Sequence, residues 1–242
     1  MREKRREKTN AKINIMAPPV STIPVSAVEL KTPFTMLVVG SSGAGKSTFV
    51  ENLIEKGLFD RPLSQGEVYY FYNTDAFGGL GKLPGVKYIR GLPGKEWVET
   101  HLTRLQPGKR VKVPLIVIDD FGGSITMDTA SLFTIASHHI DVNIICILHT
   151  LYSKNPAYKL MNDNSKYLVL FKNPRDLQVV TNLAKQMDPQ RNRRFVSIFK
   201  EATERPHSYL LLDLHQSTPE KYRFRSNVLF ENDEPMAIYH RK

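Results

Sequence analysis

The eight residues from Gly40 to Ser47 constrain the fold of this chain more than any other segment. They match the phosphate-binding pattern G-x-x-x-x-G-K-[ST] at every constrained position. Glycines in such a loop let the backbone turn tightly and direct its N–H groups at a phosphate chain. The pattern predicts a nucleoside triphosphate site. The predicted binding residues are Gly40, Ser41, Ser42, Gly43, Ala44, Gly45, Lys46, Ser47 and Thr48.

The flanking sequence has the strand–loop–helix order in which this loop occurs. Before it, Thr35 to Val39 is apolar and β-branched without alternation, which predicts a buried strand. After it, apolar residues at 49, 50, 53 and 54 have helical spacing, and Gly57 is the predicted C-cap. Lys46 would reach the β- and γ-phosphates in catalysis, and the Ser47 hydroxyl would hold Mg²⁺. This context disfavours the alternative, a chance glycine-rich turn.

The composition favours an intracellular protein with a polyanionic partner. The chain has 242 residues, 41% of them apolar, enough for one domain with a substantial core. Its net charge of +10 favours a nucleic-acid partner, and a merely soluble basic protein is the alternative. The single cysteine, Cys146, lies in an apolar run and is a predicted core residue in a reducing compartment. Because no segment has the length of a membrane helix and no signal-peptide core follows the start, we expect no membrane partner.

Three segments are predicted along the chain. Residues 1–33 would be a flexible basic arm followed by a proline-rich extended lead-in. DNA contact, nuclear targeting and a plain solvated tail are all open for the arm. Residues 34–230 would form the phosphate-loop domain, and residues 231–242 a polar C-terminal tail.

Strands alternate with helices through the predicted domain. The strands are expected at 35–39, 67–72, 86–89, 113–118, 142–148, 166–171, 208–214 and 224–230. The helices are expected at 47–56, 95–105, 128–138 (with Asp128 as N-cap) and 175–186. Such alternation indicates an α/β fold, a mainly parallel sheet with helices on both faces and extra strands at the C-terminal end.

A second motif ends the strand 113–118 in two carboxylates, Asp119 and Asp120. In phosphate-loop proteins a strand of this kind places a carboxylate beside the Mg²⁺. We therefore assign Asp119 to the metal together with Ser47, and Asp120 to orienting or deprotonating the attacking water. A helix cap or turn is the structural alternative for the pair, and many such ATPases use the longer Glu as the base.

Two further strand ends supply candidate catalytic side chains. The strand 142–148 ends in His149 and Thr150, and strand ends in open α/β sheets face the ligand. His149 is the predicted sensor of the γ-phosphate or water, with Thr150 second; a histidine that only caps a buried strand is the alternative. Arg175 follows the next strand and would serve a neighbouring subunit's site as an arginine finger, pair with Asp176, or contact DNA.

Together these segments resemble the FtsK/HerA-like genome-packaging ATPases of eukaryotic double-stranded DNA viruses and Polinton-type elements, of which the poxvirus packaging ATPase is the familiar member. The resemblance covers about Thr35 to Asn227. The matching segments are Val39–Thr48, Leu115–Asp120, Ser137–His139 with the strand after it, Leu168–Asp176 and Pro206–Leu214.

The resemblance implies a RecA-like (ASCE-type) sheet, with an extra strand between the phosphate-loop strand and the metal strand. It also implies an ATP- and Mg²⁺-dependent homo-oligomeric ring that translocates double-stranded DNA of any sequence and packages a viral or virus-like genome. A capsid or portal protein would be a further partner. The expected location is the viral assembly site in a host cell, or the virion. The chain departs from many relatives at His149, where they have Gln, and at Asp120, where they have Glu.

Other function classes also use a phosphate loop. One is a nucleoside- or nucleotide-kinase-type phosphotransferase, in which a lid over the phosphates would be formed by Arg191, Arg193 and Arg194. The other options for this basic cluster are contact with the DNA backbone, a subunit interface and a solvated face. The long apolar strand that ends in a polar sensor favours hydrolysis over transfer. A module that holds ATP as a structural ligand stays open, and the absence of an Asn-Lys-x-Asp motif disfavours a GTPase.

Overall fold

The computed structural model describes residues 28–57, 59–73, 83–102, 111–135, 140–229, 231 and 234–239. The predicted basic arm and the Ser137–His139 segment lie outside these residues, as do the predicted helix ends at 103–105 and 136–138.

A single sheet forms the centre of the described structure. Its strands are β1 (Thr35–Val39), β2 (Leu63–Tyr72), β3 (Val86–Arg90), β4 (Val113–Asp119), β5 (Asn143–Leu148), β6 (Tyr167–Phe171), β7 (Tyr209–Asp213), β8 (Phe224–Ser226) and β9 (Ala237–Tyr239). Their spatial order is β3-β2-β4-β5-β1-β6-β7-β8-β9. The pairings from β3 to β6 are parallel, and those among β6, β7, β8 and β9 are antiparallel. The predicted mainly parallel sheet with extra C-terminal strands is confirmed.

The strand β5 lies between β1 and β4. Cys146 at its middle faces Leu37 of β1 on one side and Ile118 of β4 on the other. Cys146 is fully buried, as predicted for a core residue. An extra strand between the phosphate-loop strand and the carboxylate strand is the arrangement that the family resemblance implied, so the sheet has the RecA-like phosphate-loop NTPase topology.

Helices cover both faces of the sheet, as predicted. They are α1 (Lys46–Lys56), α2 (Lys95–Leu102), α3 (Met127–Ile135), α4 (Pro156–Asp163), α5 (Gln178–Met187) and α6 (Asn192–Ala202). On one face, α1 packs on the side chains that include Met36 and Val38 of β1. On the other, α2 to α6 pack on those that include Leu37 and Val39. Because successive side chains of a strand point to opposite faces, burial on both explains why the central strands are apolar without alternation.

The structure corrects several predicted elements. α4 was not predicted, although Asn155 is its N-cap and Pro156 its first residue. α6 was described only as a basic cluster, and β9 lies in the segment predicted to be a polar tail, with Ile238 buried in the core. Val28 and Leu30, from the predicted lead-in, are also buried. The packed part of the chain therefore extends beyond 34–230 at both ends.

Two predicted helix caps have different outcomes. Gly57 caps α1 as predicted, since its backbone N–H donates a hydrogen bond to the carbonyl oxygen of Leu53. A Cβ on Gly57 would lie 2.3 Å from that oxygen. Asp128 is not the N-cap of α3, because Thr126 accepts from the N–H of Thr129 through its Oγ1. The Asp128 carboxylate instead accepts from the N–H of Lys95 at the start of α2. Within the described residues, no helix is long and apolar enough to cross a bilayer.

Candidate active site

The phosphate loop joins the end of β1 to the start of α1, and its glycines are required by its geometry. Gly43 and Gly45 have φ angles of 73° and 99°, a region that residues with side chains rarely adopt. A Cβ on Gly40 would lie 2.6 Å from the Cβ of Phe171, so only glycine fits there. The first turn of α1 leaves its backbone N–H groups without intrahelical acceptors, which makes the loop an anion site.

Lys46 is buried beside this loop. Its ammonium group donates to the carbonyl oxygen of Ser41 at 2.9 Å, which holds the side chain across the loop. Burial lowers the pKa of Lys46, and the charges of Asp119 and Asp120 act in the opposite direction. A phosphate in the loop would supply the negative charge that a buried ammonium group needs.

Ser47 and Asp119 meet at the carboxyl ends of β1 and β4. The Ser47 hydroxyl donates to Oδ2 of Asp119 at 3.0 Å. Both are oxygen donors of the kind that Mg²⁺ prefers. The described residues contain no group of three or more His, Cys, Asp or Glu side chains that could hold a metal ion.

Tyr70, on β2, holds the same carboxylate from the other side. Its hydroxyl donates to Oδ2 of Asp119 at 2.5 Å, and the ring is fully buried. Burial, followed by the nearby Asp119 charge, raises the pKa of Tyr70 far above its ordinary value, so the hydroxyl remains a donor. Burial also raises the pKa of Asp119, whereas the hydrogen bonds from Tyr70 and Ser47 act to lower it. Tyr70 was not among the residues predicted for the site.

We expect Tyr70→Phe to weaken Mg²⁺ binding about tenfold, since partners that orient a metal ligand contribute about 10- to 100-fold to metal affinity. The measurement is Mn²⁺ binding followed by electron paramagnetic resonance in the presence of ATPγS. Tyr167→Phe is the matched control, because that buried hydroxyl accepts from the Lys31 N–H far from Asp119. Equal metal affinity in both variants would show that Tyr70 does not orient the carboxylate.

Asp120 and His149 form a pair at the ends of the adjacent strands β4 and β5. Nε2 of His149 lies 3.0 Å from Oδ1 of Asp120, and about half of each side chain is exposed. Asp120 has a φ of 60°, a strained conformation for a residue with a side chain, and Asn73 donates to its backbone oxygen. The structure thus brings together two predicted catalytic residues as a solvent-accessible carboxylate–imidazole pair, able to accept a proton from water. Thr150 instead donates its hydroxyl to the backbone oxygen of Tyr152.

Arg175 lies in the exposed turn between β6 and α5. The helix begins at Gln178, later than predicted, because the Asp176 carboxylate accepts from the Gln178 N–H. This use of Asp176 leaves Arg175 without an ion pair among the described residues. Since β6 lies next to β1, the turn stands at the same sheet edge as the phosphate loop.

His207 lies within the matching segment Pro206–Leu214 and was not predicted as a site residue, and the structure places it beside the loop. Its φ is 63°, and a Cβ on Gly45 would lie 3.4 Å from its imidazole Nδ1. A cavity of about 500 Å³ next to the loop is lined by His207, Tyr209 and Glu231 as well as by loop residues. The left-handed backbone of His207 depends on tertiary packing, so no local sequence pattern could have revealed it.

No protein-family model matches the chain, and no curated protein matches it in sequence. Among solved structures it is similar to the genome packaging NTPase B204 from Sulfolobus turreted icosahedral virus 2. In its AMPPCP complex, B204 is 12% identical with a TM-score of 0.46, and the match covers 86% of this chain and 98% of B204. The Legionella pneumophila ATPase DotB is 14% identical with a TM-score of 0.35, over 74% of this chain and 57% of DotB. We therefore infer function from the residues of this chain.

Proposed function

We propose that this protein is an ATP-hydrolysing translocase of double-stranded DNA that packages a viral or virus-like genome. The observation that supports hydrolysis most directly is the convergence of three features at one sheet edge. These are the phosphate loop, the Ser47–Asp119 contact and the Asp120–His149 pair. Ligands of open α/β sheets bind at this edge, outside the carboxyl ends of the strands.

In the proposed reaction, the loop N–H groups and Lys46 hold the triphosphate, and Ser47 and Asp119 hold Mg²⁺. The ion would offset negative charge on the phosphates. The exposed Asp120 orients a water molecule and accepts its proton, while His149 positions the carboxylate through their hydrogen bond. A water molecule bound by Asp120 would attack the γ-phosphate. Because His149 contacts Asp120, it would lie near that phosphate and could act as its sensor.

The site would be completed by a second copy of the chain in a homo-oligomeric ring. Arg175 is exposed and has no ion pair among the described residues, so its guanidinium is available to bind the triphosphate held by a neighbouring subunit. An arginine supplied in this way stabilises charge that develops during phosphoryl transfer, and it would couple hydrolysis in one subunit to the position of the next.

Double-stranded DNA is the proposed partner, for two reasons. The net charge of +10 favours a polyanion, and contacts to phosphates alone would let the protein move any sequence. The choice of genome packaging rests on the FtsK/HerA-like motifs, as does a capsid or portal protein as a further partner. An assembly site in the host cell or the virion is the proposed location on the same grounds.

The position of the basic cluster argues against the phosphotransferase alternative. Arg193 stands nine residues before Ala202 in α6, about 14 Å along the helix axis. The end of α6 at Ala202, rather than its start, leads towards His207 and the phosphate loop. The three arginines therefore lie at the wrong end of the helix to form a lid over the phosphates.

The product of the reaction tests this function. With Mg²⁺ and ATP, we expect one inorganic phosphate released per ADP, and faster release when duplex DNA of either of two unrelated sequences is added. The Lys46→Ala variant serves as the inactive reference. Formation of a phosphorylated nucleotide or other phosphorylated acceptor, in place of inorganic phosphate, would support a phosphotransferase. ATP binding without turnover would indicate that ATP is a structural ligand.

A further inference from the structure

A groove leads away from the phosphate loop and has no role in the proposed hydrolysis. It consists of two adjoining cavities that share His207, Tyr209 and Glu231 in their linings. The first, about 500 Å³, borders the loop, and the second, about 430 Å³, lies between the α6–β7 turn and the β8–β9 connection. These volumes are in the range of small-molecule sites.

The described residues in the far wall of the groove contact one another. Asn227, with a φ of 52°, accepts from the Glu231 N–H at 2.9 Å and donates to the backbone oxygen of Glu234 at 2.9 Å. Arg205, on the α6–β7 turn, binds the Glu234 carboxylate at 2.5 Å and so joins the two walls. The described residues of the two walls are therefore joined by direct contacts.

His207 stands where the two cavities meet, in a conformation that has a cost. A left-handed backbone is uncommon for a residue with a side chain, and such strain is concentrated at binding and active sites. Here it holds an exposed imidazole against the loop, at van der Waals distance from the position that a Cβ on Gly45 would take. An aromatic ring at this position offers a flat face for a second ring.

The charges along the groove determine which part of a ligand each cavity would take. The loop end carries Lys46 and the N-terminus of α1, which attract phosphates. The other cavity is lined by Glu201, Glu204 and Glu231, together with Glu234, which Arg205 neutralises. Carboxylates repel phosphates and accept hydrogen bonds from hydroxyl and amino groups. Glu231 is also fixed towards α1, since its Oε1 accepts from Asn52 at 3.4 Å.

We propose that this groove binds the nucleoside of the triphosphate, with His207 against the sugar or base and Glu231 accepting from the sugar hydroxyls or a base amino group. This assignment rests on the proposed function, because the phosphates must lie in the loop for the nucleoside to enter the groove. His207 and Glu231 thus determine that the protein takes a nucleotide rather than a bare polyphosphate.

Binding of Mg²⁺-ATPγS and of Mg²⁺-tripolyphosphate, measured by calorimetry, tests the assignment with the full chain. The wild type should bind ATPγS at least about tenfold more tightly than tripolyphosphate, the equivalent of one or two polar contacts. His207→Gly and Glu231→Gln should each lower ATPγS affinity about five- to tenfold and leave tripolyphosphate affinity within about twofold. Because glycine accepts the backbone angle of His207, that variant should fold normally. His215→Ala, a histidine at the opposite sheet edge, is the control and should change neither affinity.

Each other outcome is decisive. Equal wild-type affinities for the two ligands would overturn the nucleoside assignment and leave the phosphate loop intact. Variants that weaken both ligands equally would also overturn it, because they would place the two side chains at the phosphates. A wild type that binds neither ligand would overturn the triphosphate site itself, and with it the proposed function.

Discussion

Arg175→Ala should lower the turnover number for ATP by about 10³-fold or more, the contribution of arginine fingers in phosphoryl transfer. The guanidinium is exposed in the β6–α5 turn and has no ion pair among the described residues, so its loss should not disturb the fold. ATPγS affinity should change little, because the loop and Lys46 of the same chain hold the phosphates. Steady-state phosphate release by the assembled protein is the measurement.

Mixing variants distinguishes action in trans from action within one chain. Arg175→Ala retains an intact phosphate loop, and Lys46→Ala retains an intact Arg175. In a mixed ring, some interfaces would therefore join an intact loop of one variant to an intact Arg175 of the other. We expect the mixture to recover part of the activity that each variant lacks alone. Lys185→Ala, an exposed cation in the last turn of α5, is the matched control and should remain active. No recovery on mixing, with rings assembled, would mean that Arg175 does not act across the interface.

Asp120→Asn should slow hydrolysis about 10²- to 10⁴-fold, the range for loss of a general base. Asn has the size of Asp and is among the residues that tolerate a left-handed backbone, so the φ of 60° should be kept. The amide cannot take the proton of water, although it can still bond to His149. Single-turnover hydrolysis with saturating ATP measures the step.

Asp163→Asn is the control for this variant, because Asp163 is an exposed carboxylate that pairs with Lys159 on α4. It should hydrolyse ATP at the wild-type rate. A wild-type rate in Asp120→Asn as well would remove Asp120 from the chemical step and leave His149, at the end of the adjacent strand β5, as the remaining candidate.

Local patterns predicted the centre of the fold well. The strand β1 begins and ends as predicted, because a strand buried on both faces is recognisable from its unbroken apolar run. The loop residues follow from a motif whose glycines have a local geometric reason. The carboxylate at the end of β4 followed from an apolar run of the same kind, whereas the position of β5 between β1 and β4 was implied only by the family resemblance.

Elements at the margins were missed for identifiable reasons. α6 has buried residues at helical spacing, Phe195, Ile198, Phe199 and Ala202, but its start is basic and was taken as a surface cluster. β9 is only three residues long and acquires its strand character by pairing with β8.

The missed residues of the site depend on tertiary contacts. Tyr70 belongs to the run Tyr69–Tyr72, in which every residue is aromatic, so no alternation shows which ring faces Asp119. His207 and Glu231 reach the loop only because β7 and the β8–β9 connection fold beside it. Their role could not be inferred from neighbours in the sequence.

Displacement of a third strand from duplex DNA tests the central claim, ATP-driven movement on DNA, most directly. A fluorescent triplex-forming strand placed at one end of a long duplex should be released by the wild type with Mg²⁺ and ATP, for duplexes of unrelated sequence. Neither ATPγS nor the Lys46→Ala variant should release it. ATP hydrolysis by the assembled wild type with the triplex left intact would contradict the proposed translocase.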